Sequence, residues 1–362
     1  MARRNLPSHF PYHPGLELTI KEHIPPVPFA EPHFLKDAAP RLEVQPSGGR
    51  PNRTPLEWCL DFPPTETKPV KDPRARTLHV VEQVSCGAER TAQVLRCYLD
   101  GIEDKFYVAK IFDALYFLPE EFDHTYEADG NYATEAAAYE DIIEDGLDGR
   151  FTPHYHGSWT FDLPVPDSHT QSTRPVRMVL LEHIPGRSIC EVVNNNLLSC
   201  ILPEHRLEIL AGIMEVYSLL KYYGIQHFDL APRNVMIMGV DFSISPNDTM
   251  PGFVLIDFNH CSLHRRPSCY GGMNDDTKPV DPKTYLGKSC PDKWKCWVPE
   301  PHRSNPAAWR GWVRKLWPNS EDFSPPFFKS HVFDDLGDFI EVPPQPDKQD
   351  IRPPSLPTES DG

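Results

Sequence analysis

Apolar positions recur in a regular pattern only in the central part of this chain. Residues 78–85, 91–99 and 105–112 are rich in valine, aromatic and other apolar residues, and turn-forming residues separate them. This pattern predicts three antiparallel strands. The run at 176–183 is almost wholly apolar, which is typical of a strand buried in a core. The sequence therefore predicts a small sheet in the first half of the chain.

Two longer segments have the composition and the punctuation of helices. Residues 133–145 are rich in alanine and acidic residues and end at Gly146, where a glycine can cap a helix. Residues 203–223 begin with a proline, which suits the first helical turn, and end before Gly224. Their leucine, methionine and tyrosine side chains recur at helical spacing and predict one apolar face. A shorter helix is predicted at 307–316.

The two ends of the chain lack this regularity. Proline accounts for 41 of the 362 residues, and it interrupts residues 1–75 so often that no helical period survives there. Short apolar runs at 16–20 and 56–60 are candidates to dock on the core. Residues 343–362 are rich in proline and acidic residues, which predicts a disordered tail. The regular part of the fold is thus expected between these ends.

Charge and cysteine content narrow the classes of function. The formal net charge is -16, and no basic stripe offsets it, which argues against nucleic-acid binding. The nine cysteines form no C-x-x-C pair, and the N-terminus lacks the apolar core of a signal peptide. No run approaches the roughly 20 apolar residues that a membrane-spanning helix needs. These features predict a soluble cytoplasmic protein without a membrane partner, with the nucleus left open as an alternative location.

Residues suited to phosphate chemistry concentrate after the long predicted helix. The run His-Phe-Asp-Leu-Ala-Pro-Arg-Asn at 227–234 places a carboxylate, Asp229, and a carboxamide, Asn234, in one loop. Downstream, an apolar run at 253–256 ends in a second carboxylate, Asp257. Phosphoryl transfer from Mg-ATP needs one group that orients an attacking hydroxyl, and oxygen ligands that hold the metal. The pattern predicts the first task for Asp229 and the second for Asn234 and Asp257.

The run at 227–234 and the Asp-Phe-Asn at 257–259 resemble the catalytic loop and the D-F-G motif of the protein-kinase-like superfamily. The resemblance covers roughly residues 78–260, and the chain looks like an atypical, divergent member, similar to uncharacterised fungal kinase-domain proteins. It implies an α+β, two-lobed protein-kinase-like fold with a small β-rich N-lobe and a reduced, mainly helical C-lobe. The lobes would span residues 76–185 and 186–342.

The same resemblance implies contacts with ATP upstream of the loop. Lys110 lies between apolar residues of a predicted strand, where it would contact the α- and β-phosphates and pair with Glu135 on the following helix. The alternative is a solvent-facing lysine on an edge strand, which needs no partner. The resemblance also implies that the glycine-rich loop contacts the nucleotide through Gly87 and Val94, although only the first glycine of that motif is kept. Glu182 and Ile184 would belong to the hinge that binds the adenine.

Three positions depart from the kinase motifs. Phe228 replaces the usual arginine before the catalytic aspartate, so regulation by loop phosphorylation is not expected. Ala231 replaces a frequent lysine, but Arg233 matches the cation of the tyrosine-kinase-like arrangement and would act in catalysis by neutralising γ-phosphate charge. Asn259 replaces the glycine of D-F-G, and asparagine tolerates left-handed backbone angles, so Asp257 is still expected to reach the metal.

The favoured function is therefore an ATP- and magnesium-dependent phosphotransferase that acts on a hydroxyl, with a protein serine or threonine favoured as acceptor by analogy alone. A small-molecule acceptor is the enzymatic alternative, favoured by the short C-terminal part. A pseudokinase scaffold without turnover is the other class, favoured by the poor glycine loop and by Phe228 and Asn259. Five tryptophans at 294–317 match no kinase motif, and core packing is their simplest interpretation.

Overall fold

A closed barrel of six antiparallel strands forms the first half of the protein. In the chain order of the strands, their bounds are β1 (Glu17–Glu22), β2 (Ala75–Ser85), β3 (Gln93–Leu99), β4 (Ile102–Phe112), β5 (Tyr155–Pro164) and β6 (Thr173–Glu182). Their order around the barrel is β1-β2-β3-β4-β6-β5. Strand β1 closes the barrel because it pairs with β2 on one side and with β5 on the other.

The computed structural model describes residues 10–28, 54–88, 90–117, 124–166, 172–246, 248–266, 277–317, 321 and 323–324, and the backbone of 332–333 and 339–340. The predicted tail at 343–362 lies outside the described residues.

Five α-helices and seven short strands complete the described part of the chain. The helices are α1 (Pro55–Asp61), α2 (His124–Glu144), α3 (Ile189–Asn194), α4 (Pro203–Tyr222) and α5 (Pro306–Val313). The strands are β7 (Gly186–Ser188), β8 (Ile225–His227), β9 (Val235–Met238), β10 (Gly252–Leu255), β11 (Cys261–Leu263), β12 (Val332–Phe333) and β13 (Phe339–Ile340). Strands β10, β9 and β7 form one small sheet, and β8 pairs with β11. Among the described helices, none is both long enough and apolar enough to cross a membrane.

The two faces of β4 serve different purposes. Ala109 is the register partner of Leu95 in β3 and of Leu180 in β6, and all three side chains are fully buried. Successive side chains of a strand point to opposite faces, so Lys110 lies on the other face. That face is turned towards α2, because Lys110 bonds to Glu135 of this helix. One face of β4 therefore packs into the barrel, and the other presents a lysine to the helix.

The predicted two-lobed, α+β protein-kinase-like fold is wrong. The strands close into a barrel, and the described residues contain only five α-helices, so the mainly helical C-lobe is not formed. The predicted strands at 78–112 and 176–183 and the long helix from residue 203 are confirmed, with ends shifted by a few residues. The error came from treating this sheet as the open half of a two-lobed molecule.

The strand that closes the barrel lies in the segment that was expected to be irregular. Prolines flank β1 rather than interrupt it, because the nearest ones are Pro14 and Pro25. The prolines of this segment also include Pro55, which starts α1. Thr54 and Glu57 form a capping box at that end, in which each side chain bonds the backbone of the other. Parts of the segment before residue 75 thus form regular structure, and β1 pairs with β2 of the barrel.

The tryptophan-rich segment packs against α4 with little helix of its own. Trp294, Trp297 and Trp309 are completely buried. The indole N–H of Trp297 donates to the carbonyl of Arg206 at 2.8 Å, and the Arg206 guanidinium donates to the carbonyl of Trp297 at 3.2 Å. These reciprocal bonds fix the segment to the first turns of α4. Core packing therefore accounts for these three tryptophans.

Candidate active site

Lys110 is buried between two carboxylates that come from different parts of the chain. Its ammonium group donates to Glu135 of α2, and at 2.5 Å to Asp257, which follows β10. Lys110 and Glu135 are almost entirely shielded from solvent, whereas 32% of the Asp257 side chain is exposed. Two carboxyl groups thus flank one ammonium group where α2 meets the barrel.

The alanines of α2 allow this contact. Ala133, Ala136 and Ala137 flank Glu135, and all three are buried. Because alanine side chains are short, the helix can approach the sheet closely enough for Glu135 to reach the lysine. The alanine-rich pattern that predicts the helix thus also accounts for its close approach to the sheet.

The three groups differ in their tendency to ionise. Burial raises the pKa of Glu135 to about 7, although Lys110 opposes the shift. Burial also acts to lower the pKa of Lys110, but Asp257 and Glu135 outweigh it and raise that pKa. Partial burial acts to raise the pKa of Asp257, and Lys110 outweighs it and lowers that pKa. Lys110 and Asp257 are therefore charged at neutral pH, and Glu135 is the member that can hold a proton.

A second cluster forms around Asp229 in the loop after β8. The Arg233 guanidinium donates to one carboxylate oxygen of Asp229. The amide nitrogen of Asn234 donates to the other oxygen and to the Asp229 carbonyl, both at 2.8 Å. Since the nitrogen of this carboxamide is used by Asp229, its oxygen is the atom that remains for a cation. The loop thus presents one carboxylate and one amide oxygen.

Hydrogen bonds through His227 and Ile256 hold the two clusters side by side. His227 is buried, and its Nε2–H donates to the Ile256 carbonyl at 3.2 Å, while its Nδ1 accepts from the Asp229 N–H at 3.1 Å. The Ile256 N–H donates to the Asn234 carbonyl at 3.0 Å. Burial lowers the pKa of His227, which favours the neutral ring that both bonds require. Asp257 is therefore fixed next to Asn234 through its own neighbour in the chain.

The backbone is strained at Asp257 rather than adapted at Asn259. Asp257 has φ of 69°, in the left-handed region that non-glycine residues rarely adopt. Asn259, at the position of the D-F-G glycine, is not in the left-handed region. Phe258 anchors the turn, with ring centroids 5.3 Å from Tyr139 and 5.0 Å from His227. Strain of this kind persists only where the surroundings enforce it and is frequent at functional sites.

Of the residues expected to contact the nucleotide, only some lie close to Lys110. Val94 is the register partner of Lys110 on β3. Gly87 lies in the turn before β3 with φ of 136°, and its N–H donates to the side chain of Gln93 at 2.8 Å. The Gln93 amide in turn donates to the Gly87 carbonyl at 2.9 Å. The turn is therefore closed on itself, and this backbone amide is already bonded.

The expected hinge residues lie further from the lysine. Val179 is the partner of Lys110 on β6, and Glu182 is three residues further along that strand, which is about 10 Å at the rise of a strand. The Glu182 N–H donates to the His154 carbonyl at 2.8 Å. Ile184 follows the strand and is partly exposed. The structure thus brings Val94 to Lys110 but does not bring Glu182 or Ile184 into either charged cluster.

The oxygen atoms of Asn234 and Asp257 suit a hard cation. Carboxylate and amide oxygens are ligands that Mg²⁺ accepts, and it usually takes few from the protein because phosphates and waters supply the others. No group of three or more His, Cys, Asp or Glu residues that could hold a metal occurs in the described part of the chain. The pair therefore fits an ion that arrives with a phosphate ligand rather than a metal held by protein alone.

Three residues at the site were not found from the sequence in their present roles. The motif at 227–234 includes His227 but predicts no role for its ring, and Gln93 has no signal beyond its place at the start of a strand. Lys293 donates to the carbonyl of Leu230 at 2.9 Å, although 63 positions separate the two residues. Nothing in the local sequence around Lys293 indicates this long-range contact.

No protein-family model matches the chain, and no curated protein matches it. Its likeness to the protein-kinase-like superfamily thus rests on the motifs alone and stays a prediction.

Proposed function

We propose that this protein is an ATP- and magnesium-dependent phosphotransferase that transfers the γ-phosphate to a hydroxyl group. The observation that carries the proposal is Lys110, which is buried between Glu135 and Asp257 beside the loop of Asp229 and Asn234. A buried cation with two acids is a costly arrangement that often marks a functional site. The fold itself does not enter the argument.

Each charged residue has a task in this reaction. Lys110 neutralises charge on the α- and β-phosphates, and Glu135 holds the lysine in place. Asp229 accepts a hydrogen bond from the acceptor hydroxyl and orients it towards the γ-phosphate. Asn234 and Asp257 would hold magnesium, which when bound reduces the negative charge on the phosphates. Arg233 holds the Asp229 carboxylate in the described conformation.

We favour a protein serine or threonine as acceptor, by analogy of the motifs alone. A small-molecule alcohol is the alternative acceptor. The two differ in the size of surface that the enzyme needs around Asp229. Phe228, the residue before Asp229, is 65% exposed, and its ring is a candidate contact for an acceptor of either kind.

A nucleotide-binding scaffold without turnover is the second candidate. It is favoured by the turn at Gly87, whose N–H is bonded to Gln93 rather than presented to a phosphate. It is also favoured by the ion pair of Asp229 with Arg233, which occupies the carboxylate that would orient an acceptor. Under this proposal Lys110 and Asp257 would still bind nucleotide, and only transfer would be missing.

A cytoplasmic location belongs to the proposal as well. The eight cysteines in the described residues are all free thiols: Cys59, Cys86, Cys97, Cys190, Cys200, Cys261, Cys290 and Cys296. Free thiols are usual in reducing compartments, where ATP is also abundant.

Thermal unfolding with and without Mg-ATP tests the nucleotide site. Ligand at about 100 times its dissociation constant stabilises a protein by roughly 2.7 kcal/mol, which shifts the midpoint visibly. We expect a magnesium-dependent shift in the wild type that Asp257→Asn abolishes. Asp162→Asn is the matched control, because Asp162 is exposed on the barrel at β5. No shift at millimolar nucleotide would contradict the proposal.

A phosphate-transfer assay distinguishes an active phosphotransferase from a scaffold that only binds nucleotide. Radiolabelled ATP is incubated with the protein and with mixtures of peptides or small alcohols, and transfer of label is measured. Asp229→Asn keeps the shape of the side chain and is expected to lower transfer strongly while the nucleotide-induced shift in midpoint is retained. A shift without transfer from the wild type to any hydroxyl would favour the scaffold.

A further inference from the structure

Lys293 reaches the candidate catalytic loop from a distant part of the sequence. Its ammonium group donates to the carbonyl of Leu230, the residue after Asp229, at 2.9 Å. An ammonium group has three N–H donors, and this bond uses one of them. The side chain therefore brings a positive charge with spare donors to the loop that carries Asp229, whose charge acts on it.

The position of Lys293 is fixed by buried aromatic neighbours. It lies in the short 3-10 turn Asp292–Trp294. Trp294 in this turn and Trp297 just after it are completely buried, and Trp297 exchanges two hydrogen bonds with Arg206 of α4. Lys293 itself is exposed. A rigid support with an exposed amino group is the arrangement that a ligand-binding lysine needs.

The other cations of the site are already paired. Lys110 is shared by two carboxylates, and Arg233 is paired with Asp229. Lys293 takes part in none of the ion pairs found among the described residues, and its one described bond is to a neutral carbonyl. Partial burial lowers the pKa of Lys293, although the charge of Asp229 opposes this shift. Lys293 is thus able to interact with an anion that binds at the loop of Asp229 and Leu230.

We infer that Lys293 is a catalytic residue that contacts the phosphoryl group during its transfer, an inference that rests on the proposed phosphotransferase function. The acceptor oxygen forms a bond to the γ-phosphorus as the bond from this phosphorus to the β–γ bridging oxygen breaks. The acceptor proton passes to Asp229 and then to water, and ADP leaves. Lys293 transfers no proton, and it stabilises the charge on the equatorial phosphoryl oxygens.

Three substitutions of Lys293 distinguish the effect of its positive charge from the effect of its hydrogen bond to Leu230. Lys293→Ala removes both the charge and the bond to Leu230. Lys293→Gln keeps a donor that can reach a carbonyl but removes the charge, and Lys293→Arg keeps the charge. Lys295→Ala is the matched control, since Lys295 lies two positions further on and pairs with Asp292 at 2.6 Å on the surface.

The first readout does not need an acceptor. Unfolding midpoints are measured with Mg-ADP alone and with Mg-ADP plus aluminium fluoride, a mimic of the phosphoryl group in transfer. We expect aluminium fluoride to add stability in the wild type, in Lys293→Arg and in Lys295→Ala, but not in Lys293→Ala or Lys293→Gln. A gain retained in Lys293→Gln would overturn the inference, because a supporting hydrogen bond would then suffice.

The remaining outcomes are also decisive. A wild type that responds to Mg-ADP but gains nothing from aluminium fluoride would overturn the role of Lys293 while nucleotide binding stands. A wild type without any response to nucleotide would overturn the proposed function and this inference together. Once an acceptor is known, Lys293→Ala should lower kcat about 100-fold, with KM for ATP changed less than about threefold.

Discussion

Lys110 and Asp257 lie 147 positions apart in the sequence, and their side chains meet at 2.5 Å. The contact joins the barrel to the segment after β10, and Glu135 adds α2 to the same point. The ammonium group of Lys110 therefore links three separate parts of the chain: strand β4, helix α2 and the segment after β10. This link makes the lysine important for stability as well as for the proposed chemistry.

Replacing Lys110 by methionine is expected to destabilise the protein by about 3–5 kcal/mol, because two partly or fully buried carboxylates lose their partner. Denaturant unfolding at pH 7 measures this loss. Lys105→Met is the control: Lys105 is exposed on the same strand, and its contact with the Tyr107 ring is expected to contribute less than about 1 kcal/mol. Equal midpoints for the two variants would contradict the assigned burial of the lysine cluster.

Glu135 is expected to make stability fall as pH rises from 4.5 to about 7. Its pKa is raised from 4.5 to about 7 in the folded state, so the folded protein binds the proton more tightly than the unfolded chain. Its favourable contribution is complete below the unfolded pKa and is lost as pH rises through the folded pKa.

Glu135→Gln tests this dependence, since glutamine resembles the protonated acid at every pH. The free energy of unfolding of the wild type relative to this variant should drop by on the order of 2–3 kcal/mol between pH 4.5 and pH 8. A rise over the same range would show that Lys110, and not burial, controls the ionisation of Glu135.

Arg266 is expected to hold α2 in the position from which Glu135 reaches the lysine. Its guanidinium donates to Asp141 through two nitrogens at 2.6 and 3.0 Å and to Glu140 at 3.2 Å. Asp141 is buried, so Arg266→Ala leaves an unpaired carboxylate and should cost about 1–3 kcal/mol.

Circular dichroism during chemical unfolding measures that cost. Arg303→Ala is a suitable control, because its partner Glu300 is about half exposed and surface pairs of this kind contribute at most about 1 kcal/mol. If both variants unfold at the same denaturant concentration, Arg266 does not support the helix.

Gln93 is expected to keep the turn at Gly87 closed. Gln93→Ala removes two hydrogen bonds from a side chain that is 1% exposed, and should lower stability by about 1–3 kcal/mol. Amide hydrogen exchange at Gly87 should become faster, while exchange in β8 is unchanged. Unaltered exchange at Gly87 would mean that the glutamine does not restrain the turn.

The sequence identified elements that carry their own signal. The three strands and α4 have a hydrophobic period and clear end signals, so they could be located within a few residues. Strand β1 has the same alternation, but its partners lie far away in the chain: Lys21 pairs with Thr160 of β5. Closure of a barrel is a long-range event that no local pattern encodes, and a fold inferred from motif resemblance missed it.

As with the fold, the sequence predicted part of the candidate site but not all of its geometry. Motif spacing indicated Lys110, Glu135 and Asp257 as candidate site residues. In the structure, the Lys110 side chain contacts both carboxyl groups. The spacing could not show that the left-handed residue is Asp257 itself, because backbone angles follow from the packing of Phe258 on both sides. The sequence did not indicate Lys293, because its proximity to the loop of Asp229 depends on how buried tryptophans position the segment around residue 293.

Closure of the barrel by β1 also constrains how the protein forms during synthesis. Glu17–Glu22 leaves the ribosome before its two partner strands, and the second of them, Tyr155–Pro164, is made much later than the first. Until then the nascent sheet has a free edge, and unpaired strand edges promote association between chains. A strand that looks like a minor addition in the finished structure therefore determines when newly made chains cease to be prone to aggregation.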